Sequence, residues 1–243
     1  MQDGRLIRRG LFYRSCGLYM FDPQELEYLS SLNIRNIIDL RTERECIRRP
    51  DAVPSGSVYH NAICMCGREG DDIDFSPAGM KQAGEKGQRQ LEQLRSYYLN
   101  MPFDNEAFRL IVRMLRERDF PLLFHCATGK DRTGVISALI MLLLGADDWQ
   151  VTIDYLTSND SYMDLIEETI ESEGKLAETD AVYLSLLLMM KGVDPKIMRL
   201  LLEKLHSDYP DIRDFFAEQY GLSRQEIEEI RDFCLEEDND QLK

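Results

Sequence analysis

Residues 125–134, with the sequence HCATGKDRTG, constrain this chain more than any other segment. They follow the apolar run PLLFH, which predicts a short buried strand, and they precede VISALIMLLLG, which predicts a buried helix. A Cys and an Arg separated by five residues, with glycines between and after them, therefore lie on a strand-to-helix turn. Backbone N–H groups converge at such a turn, at the positive end of the helix dipole, so the segment predicts a phosphate-binding loop.

Cys126 and Arg132 are the candidate reacting pair of this loop. Only a thiolate attacks phosphorus, and a helix N-terminus, amide donors and a nearby guanidinium all favour the anion. We therefore expect Cys126 to be largely thiolate at neutral pH. The planar fork of Arg132 suits two phosphoryl oxygens and the charge that shifts in the transition state. The alternative interpretation makes Cys126 a small buried hydrophobe that closes a strand.

The remaining loop residues are expected to shape the site. Gly129 and Gly134 allow the backbone to bend and to approach a phosphate closely. Thr133 is expected to donate its hydroxyl to the cysteine sulfur when that sulfur is the leaving group. His125 is expected to orient the loop through hydrogen bonds rather than to act as a base. The predicted phosphate-binding set is His125, Ala127, Thr128, Gly129, Lys130, Gly134 and Asp39.

The segment resembles the signature of the cysteine-dependent protein tyrosine phosphatases. Its GKDRTG ending is most similar to an atypical, largely microbial family with tyrosine, dual-specificity and phosphoinositide phosphatase activity. GRLIRRGLFYRS and NIRNIIDLRTERE resemble two further stretches of that family, whereas the middle and the C-terminal third carry no matching motif. The resemblance implies a central, mostly parallel sheet flanked by helices. It also implies a two-step reaction through a phosphocysteine on Cys126, without a metal ion or another cofactor.

Residue patterns alone predict the same fold class, an α/β domain. IRNIIDLR is a β-branched apolar run, and the helix predicted before it has Asp22 as its N-cap and Glu25 three residues later. VYHNAI and PLLFH predict further strands, and strands that alternate with helices favour a layered α/β architecture. Ligands of such sheets bind at the carboxyl ends of the strands, where Asp39 and Cys126 both fall.

Length and composition predict a single domain over residues 1–243. Residues 64–90 are rich in glycine and charge and predict a long loop excursion. The part from about 160 to 220 is helix-rich, and its apolar run AVYLSLLLMM is interpreted either as a core helix or as part of a lid over the phosphate pocket. Residues 236–243 predict a frayed acidic tail.

The formal net charge of −15 argues against nucleic acid and anionic membrane surfaces as partners, although a local basic pocket for a lipid headgroup remains compatible with it. The six cysteines are irregularly spaced, which argues against a disulfide framework and for a reducing compartment. Cys64 and Cys66 are interpreted as exposed loop thiols rather than zinc ligands, one of which could protect Cys126 under oxidation. No secretory signal or membrane-spanning apolar stretch is recognised, so a cytoplasmic location is predicted.

The general acid is the least constrained assignment. A leaving group is normally protonated by a carboxylic acid, and the chain lacks the Trp-Pro-Asp tripeptide that carries this acid in many tyrosine phosphatases. Asp131 is the first candidate, and the alternative makes it a permanently ionised brace between Lys130 and Arg132. Asp104 is the next candidate, with a plain explanation as a helix N-cap. Asp39 is expected to hold Arg132 or the loop backbone from below.

Two groups of charges leave alternatives open. The ammonium of Lys130 either adds positive charge for a second phosphate or points to solvent. Arg41 is expected to form a structural ion-pair cluster with Glu43 or Glu45, and the alternative is a contact with the substrate.

The predicted function is a metal-independent phosphomonoester hydrolase that acts on phosphotyrosine, with phosphoserine, phosphothreonine or phosphoinositides as further candidate substrates. The alternative is a non-catalytic module that reads phosphate with the same loop. A module of that kind would be indicated by loss of the Cys, the Arg or the Thr of the loop, and all three are present. Sulfur transfer and arsenate reduction fit the loop spacing poorly.

Overall fold

The structure is a computed structural model that describes residues 1–64, 84–168, 171 and 191–238. Four of its strands form a parallel sheet in the order β2-β5-β3-β4, and two short strands near the chain ends, β1 and β6, pair antiparallel. The strands are β1 (Leu6–Ile7), β2 (Phe12–Ser15), β3 (Asn36–Asp39), β4 (Val58–Asn61), β5 (Leu122–His125) and β6 (Leu235–Glu236). The predicted fold class, an α/β structure with a central, mostly parallel sheet, is confirmed.

Helices cover the sheet on both faces. None of the helices in the described ranges is long and apolar enough to cross a membrane. The described helices are α1 (Pro23–Ser31), α2 (Glu43–Arg48), α3 (Gly84–Asn100), α4 (Glu106–Glu117), α5 (Asp131–Leu143), α6 (Asp148–Leu156), α7 (Pro195–Asp208), α8 (Ile212–Tyr220) and α9 (Arg224–Cys234), with 3₁₀ turns at Leu18–Met20 and Thr157–Tyr162.

Capping side chains set several helix starts. Asp22 and Glu25 form the predicted capping box of α1. The N-cap of α4 is displaced by one residue from the prediction, because adjacent residues offer similar capping side chains. Asn105 caps α4 in place of Asp104, and Asp147 caps α6. The backbone of Asp104 is left-handed, with φ of 49°, whereas a capping residue is extended.

The predicted loop over residues 64–90 is wrong at its C-terminal end, because α3 already begins at Gly84. Glycine and charge favour a loop, but an isolated glycine costs a helix only about 1 kcal/mol. The predicted tail over residues 236–243 is wrong at its first residue, because Glu236 pairs with Leu6 between β6 and β1. Residues 65–83 lie outside the described part of the chain, and so do AVYLSLLLMM (181–190) and residues 239–243. The choice between a core helix and a lid for AVYLSLLLMM therefore stays a prediction.

The main hydrophobic core lies between the sheet and the helices α4, α5 and α8. Ile136 and Leu139 of α5 are fully buried, as its continuous apolar sequence predicts. Phe215 and Phe216 of α8 are also fully buried and stack edge to face with ring centroids 5.1 Å apart. A smaller cluster covers the opposite sheet face and consists of Leu18, Leu29, Ile34, Ile37 and Leu123. The central strands β3 and β5 are therefore buried on both faces, whereas the edge strand β4 is largely exposed.

The strand register brings the two predicted motifs together. Asp39, the last residue of β3, lies directly opposite His125, the last residue of β5. Ser15, the last residue of β2, lies opposite His125 on the other side. The carboxyl ends of three neighbouring strands therefore meet at the segment that begins with Cys126.

Candidate active site

Residues 126–130 join β5 to α5 and are called the phosphate loop below. Cys126 begins this loop with 2% of its surface exposed. Lys130 occupies the N-cap position of α5, and no side chain of the described residues caps that helix start. The first N–H groups of α5 are therefore available for an anion, which a helix N-terminus attracts.

Glycine is required at two positions of this segment for different reasons. Gly129 has φ of 71°, and a Cβ atom there would lie 2.6 Å from the carbonyl oxygen of Ser15. The phosphate loop therefore packs directly on the end of β2. At Gly134, inside α5, a Cβ atom would lie 2.7 Å from the ring of Tyr155. Close packing of α6 on α5 thus accounts for Gly134, which was expected to help the backbone approach the phosphate.

Arg132 is held in place by Glu45. Its Nη1 and Nη2 atoms donate to the two carboxylate oxygens of Glu45 at 2.7 and 2.8 Å. Burial opposes the charge of Glu45, but the hydrogen bonds and the charge of Arg132, together with the hydrogen bonds from Thr42, lower the pKa of this carboxyl to about 2. Glu45 also forms the capping box of α2 with Thr42. The expectation that Asp39 holds Arg132 is wrong, since Glu45 takes that position.

Asp39 instead binds Arg41 beneath the phosphate loop. The Nε and Nη2 atoms of Arg41 donate to Asp39 at 2.9 and 2.6 Å, and Nη2 also donates to Asp51 at 2.6 Å. All three side chains are 1% exposed or less. The predicted pairing of Arg41 with Glu43 or Glu45 is therefore wrong. Arg41 places one positive charge between two buried carboxylates.

His125 lies within this buried cluster, fully inaccessible to solvent. Its Nδ1 atom is 3.2 Å from the carbonyl oxygen of Cys126, which fits the expectation that it orients the loop. Its Nε2 atom lies 3.3 Å from Oδ2 of Asp51. That distance suits an ion pair, but the ring is not aligned for a hydrogen bond, and Nε2 has no such bond with any described residue.

Asp131 occupies the first position of α5, beside Arg132. Burial raises its pKa, although Lys130, a hydrogen bond with the hydroxyl of Tyr98 and Arg132 all act in the opposite direction. The shift is in the direction that a general acid needs, and the choice between an acid and an ionised brace stays a prediction. Asp104, the other candidate acid, is exposed and forms an ion pair with Arg109.

Thr133 lies one residue beyond Arg132 and is completely buried. Its hydroxyl oxygen has no hydrogen-bond partner among the residues that the structure describes. A buried hydroxyl without a partner costs about 1–3 kcal/mol, so such groups are kept where a function uses them. Donation of this hydroxyl to the Cys126 sulfur stays a prediction.

The ammonium group of Lys130 is not exposed, so the alternative in which it points to solvent is wrong. Its Nζ atom donates to the carbonyl oxygen of Gly192 at 3.0 Å and lies 5.2 Å from the ring centre of Tyr162. The residue is 2% exposed, and burial lowers the pKa of its ammonium. A role in binding a second phosphate stays a prediction.

Comparison with known proteins identifies the family of this chain. The model of the Tyrosine phosphatase family matches residues 1–236. The chain belongs to this family. Its enzymes are cysteine-based and independent of metal ions.

Curated relatives of this family member are bacterial phosphatases. The Triple specificity protein phosphatase PtpB of Mycobacterium tuberculosis is 32% identical over 174 residues, which cover 64% of this chain and 63% of PtpB. A Tyrosine-protein phosphatase of Nostoc commune is 26% identical over 148 residues, which cover 60% of this chain and 48% of that protein. The chain thus spans about half to two thirds of the length of these relatives.

Two residues that were not predicted from the sequence, Arg14 and Tyr162, hold backbone carbonyl groups of the phosphate loop. Arg14 of β2 donates to the carbonyl of Gly129 at 3.2 Å and to the carboxylate of Asp154 at 2.7 Å. The hydroxyl of Tyr162 donates to the carbonyl of Thr128 at 2.8 Å. Arg14 lies in the FYRS stretch, so the resemblance of that stretch was the available signal. Tyr162 carried no sequence signal.

A cavity of about 200 Å³ opens beside the phosphate loop. Arg48 and Arg49, at the end of α2, bring positive charge to it, and the guanidinium of Arg49 lies 5.4 Å from the ring centre of Tyr19. This basic patch on an otherwise acidic protein was not predicted from the sequence. The residues lining the cavity are Tyr19, Arg41, Glu45, Arg48, Arg49 and Ala127.

Cys64 differs from its predicted exposed position. It is fully buried at the end of the segment after β4, and the side-chain amide of Asn105 donates to its sulfur at 3.2 Å. Burial raises the pKa of the Cys64 thiol to about 12, so this thiol is poorly reactive. Its neighbour Cys66 lies outside the described residues.

Proposed function

We propose that this protein is a metal-independent phosphomonoester hydrolase that acts on phosphotyrosine through Cys126. The observation that carries the proposal is the position of Cys126 in an uncapped loop at the start of α5, with Arg132 fixed by two hydrogen bonds to Glu45. Amide donors and a preorganised guanidinium are the groups that stabilise a phosphoryl group in transfer. Free cysteines at irregular spacing support a reducing, cytoplasmic location.

The first step transfers the phosphoryl group to sulfur. The thiolate of Cys126 attacks phosphorus, a phosphorus–sulfur bond forms, and the phosphorus–oxygen bond to the substrate breaks. Asp131 donates its proton to the departing oxygen, for which its raised pKa is suited. Arg132 holds two of the phosphoryl oxygens throughout the transfer.

The second step returns the enzyme to its starting state. Asp131, now ionised, accepts a proton from a water molecule that attacks phosphorus. The phosphorus–sulfur bond breaks, inorganic phosphate leaves, and Cys126 departs as a thiolate. The buried hydroxyl of Thr133 is free to donate a hydrogen bond to that developing charge.

The basic cavity supports a wider range of substrates. Arg48 and Arg49 offer positive charge beside the phosphate loop, at a place where a second anionic group of a substrate would lie. We therefore include phosphoserine and phosphothreonine peptides with acidic neighbours, and phosphoinositides, among the proposed substrates. PtpB, a relative at 32% identity, carries triple specificity in its name.

The test is phosphate release by the wild-type protein and by Cys126→Ser on a phosphotyrosine peptide, a phosphoserine peptide and a soluble phosphoinositide. We expect release that requires Cys126, is blocked by vanadate and persists in a chelator. Cys234→Ser, a substitution at a buried cysteine of α9, is the matched control. Absence of release from every substrate, together with phosphopeptide binding by Cys126→Ser, would favour the phosphate-reading module instead.

A further inference from the structure

The buried cluster beneath the phosphate loop contains a residue whose role is not explained by the reaction steps above. Asp51, in the segment between α2 and β4, is 1% exposed. Its Oδ1 atom accepts the backbone N–H of Tyr19 at 3.0 Å, and its Oδ2 atom accepts Nη2 of Arg41 at 2.6 Å. Its Oδ2 atom also faces Nε2 of His125 at 3.3 Å. His125 is the residue directly before the nucleophile.

The charges of this cluster do not balance without one further proton. The carboxylates of Asp39 and Asp51 carry two negative charges, and Arg41 carries one positive charge. Tyr59 and Cys46 also contact Asp39, as neutral donors that contribute no charge. Burial of an uncompensated charge is expensive, so a second positive charge in this cluster lowers its free energy.

Two groups of this cluster could hold that proton, the carboxyl of Asp51 and the Nε2 atom of His125. Nδ1 faces the carbonyl oxygen of Cys126, which only accepts, so Nδ1 carries a hydrogen. An unprotonated Nε2 would place a lone pair near an ionised carboxylate oxygen 3.3 Å away inside the protein, although the ring is not aligned for a hydrogen bond. A proton on Nε2 turns this repulsion into an attraction and restores neutrality.

We propose that Asp51 is a positioning residue that keeps His125 as an imidazolium and fixes its ring against the carbonyl of Cys126. The positive charge then lies next to the nucleophile and favours its thiolate form. Burial raises the pKa of Asp51, whereas Arg41 and the other partners of Asp39 hold the pKa of that carboxyl below its usual range. A raised pKa favours the neutral carboxyl, so Asp51 stays ionised beside His125 only when the ring carries the compensating charge. The proposal rests on the thiolate mechanism of the preceding section.

The protonation state of the His125 ring can be measured in the protein with Asp51 unchanged. The chain has three histidines, and nitrogen NMR of the ring atoms distinguishes an imidazolium from a neutral ring. We expect one histidine with both ring nitrogens protonated at pH 7, whose signals disappear in His125→Asn. A neutral His125 ring with hydrogen only on Nδ1 would overturn the proposal.

Asp51→Asn tests the consequence for the nucleophile. The variant keeps an oxygen for the Tyr19 N–H and removes the negative charge that holds the proton. We expect the midpoint of the pH profile for alkylation of Cys126 by iodoacetamide to move up by about one pH unit, a common effect of one nearby charge. Turnover should fall more than KM rises. In the His125→Asn background, Asp51→Asn should cause no further shift of the midpoint.

The matched control is Asp232→Asn, which removes an exposed carboxylate paired with Arg5 and should leave the profile unchanged. An equal shift of the midpoint with and without His125, or no shift in a folded Asp51→Asn protein, would overturn the positioning role. Alkylation does not require turnover. A shifted midpoint in a protein without phosphatase activity would therefore contradict the proposed function and leave this inference standing.

Discussion

The substitution Glu45→Gln is expected to change two quantities to different extents, the free energy of unfolding and kcat/KM. Glu45→Gln keeps the size of the side chain and its place in the capping box, because glutamine also serves there. It removes the charge that holds Arg132. The pKa of this carboxyl falls from 4.5 to about 2, which corresponds to about 3 kcal/mol at ~1.4 kcal/mol per pH unit. Since 36% of the side chain is exposed, solvent screening reduces the expected loss to about 1–2 kcal/mol.

The pH dependence of that loss has a defined sign. A carboxyl with a lowered pKa stabilises the folded state above its unfolded value of about 4.5, and this contribution disappears as the pH falls toward about 2. Urea unfolding of the wild type and of Glu45→Gln should therefore differ at pH 7 and converge progressively below pH 4.5. A difference in unfolding free energy that is the same at every pH would refute the electrostatic explanation.

We expect Glu45→Gln to reduce kcat/KM more strongly than it reduces the free energy of unfolding. In Glu45→Gln the guanidinium of Arg132 loses one of its two hydrogen bonds and the opposing charge, and such a loss of positioning costs on the order of 10²-fold in kcat/KM. Glu226→Gln is the matched control, because Glu226 also belongs to a capping box and pairs with an arginine, Arg116, but lies on α9. Its kcat/KM should remain that of the wild type. Equal kcat/KM for wild type and Glu45→Gln would refute the role assigned to this pair.

Three other substitutions or measurements test separate parts of the site. Asp131→Asn should lower the turnover of alkyl phosphates by about 10²–10⁴-fold and the turnover of nitrophenyl phosphate far less, because only the poor leaving group needs the acid. An equal loss on both substrates would indicate that Asp131 is an ionised brace. Gly129→Ala should destabilise the protein by about 1–3 kcal/mol in urea unfolding, since it combines a left-handed φ with a clash against Ser15, and an unchanged midpoint would contradict that packing. Cys64 should escape alkylation by iodoacetamide in the folded protein at pH 8 while Cys126 reacts, as peptide mass spectrometry would show, because burial raises the pKa of Cys64 to about 12.

The parts of the fold that depend on local signals could be predicted from the sequence. The loop at Cys126, its flanking strand and helix, and the capping box at Asp22 all arise from residues close together in the chain. The meeting of Asp39 with His125 also followed, because parallel strands expose their carboxyl ends at one edge.

The choice of ionic partners could not be predicted in the same way. The DLRTERE stretch offers several carboxylates within a few residues, and the sequence does not distinguish Asp39 from Glu45 as the partner of Arg132. The decision depends on α2, whose first turn directs Glu45 toward Arg132, whereas Asp39 lies at the strand end below the loop. Asp51 had no signal at all, since no recognised motif includes it and its contacts with Arg41 and His125 form only in the folded structure.

Burial by distant segments was equally inaccessible from the sequence. Lys130 was given a solvent-facing alternative, but the carbonyl of Gly192, far along the chain, covers its ammonium. Cys64 was placed in an exposed loop, but Asn105 at the start of α4 packs on its sulfur. In both cases a residue from a distant part of the sequence buries the side chain, and the residues next to it in sequence give no sign of that contact.

The central claim is that the phosphoryl group passes through the sulfur of Cys126. The most direct measurement is an acid quench during turnover of a phosphotyrosine peptide, followed by peptide mass spectrometry of the trapped protein. We predict one added phosphoryl group on the peptide that contains Cys126, formed and lost at rates compatible with turnover and absent in Cys126→Ser. Turnover without any phosphorylated Cys126, or with the phosphoryl group on another residue, would contradict the mechanism.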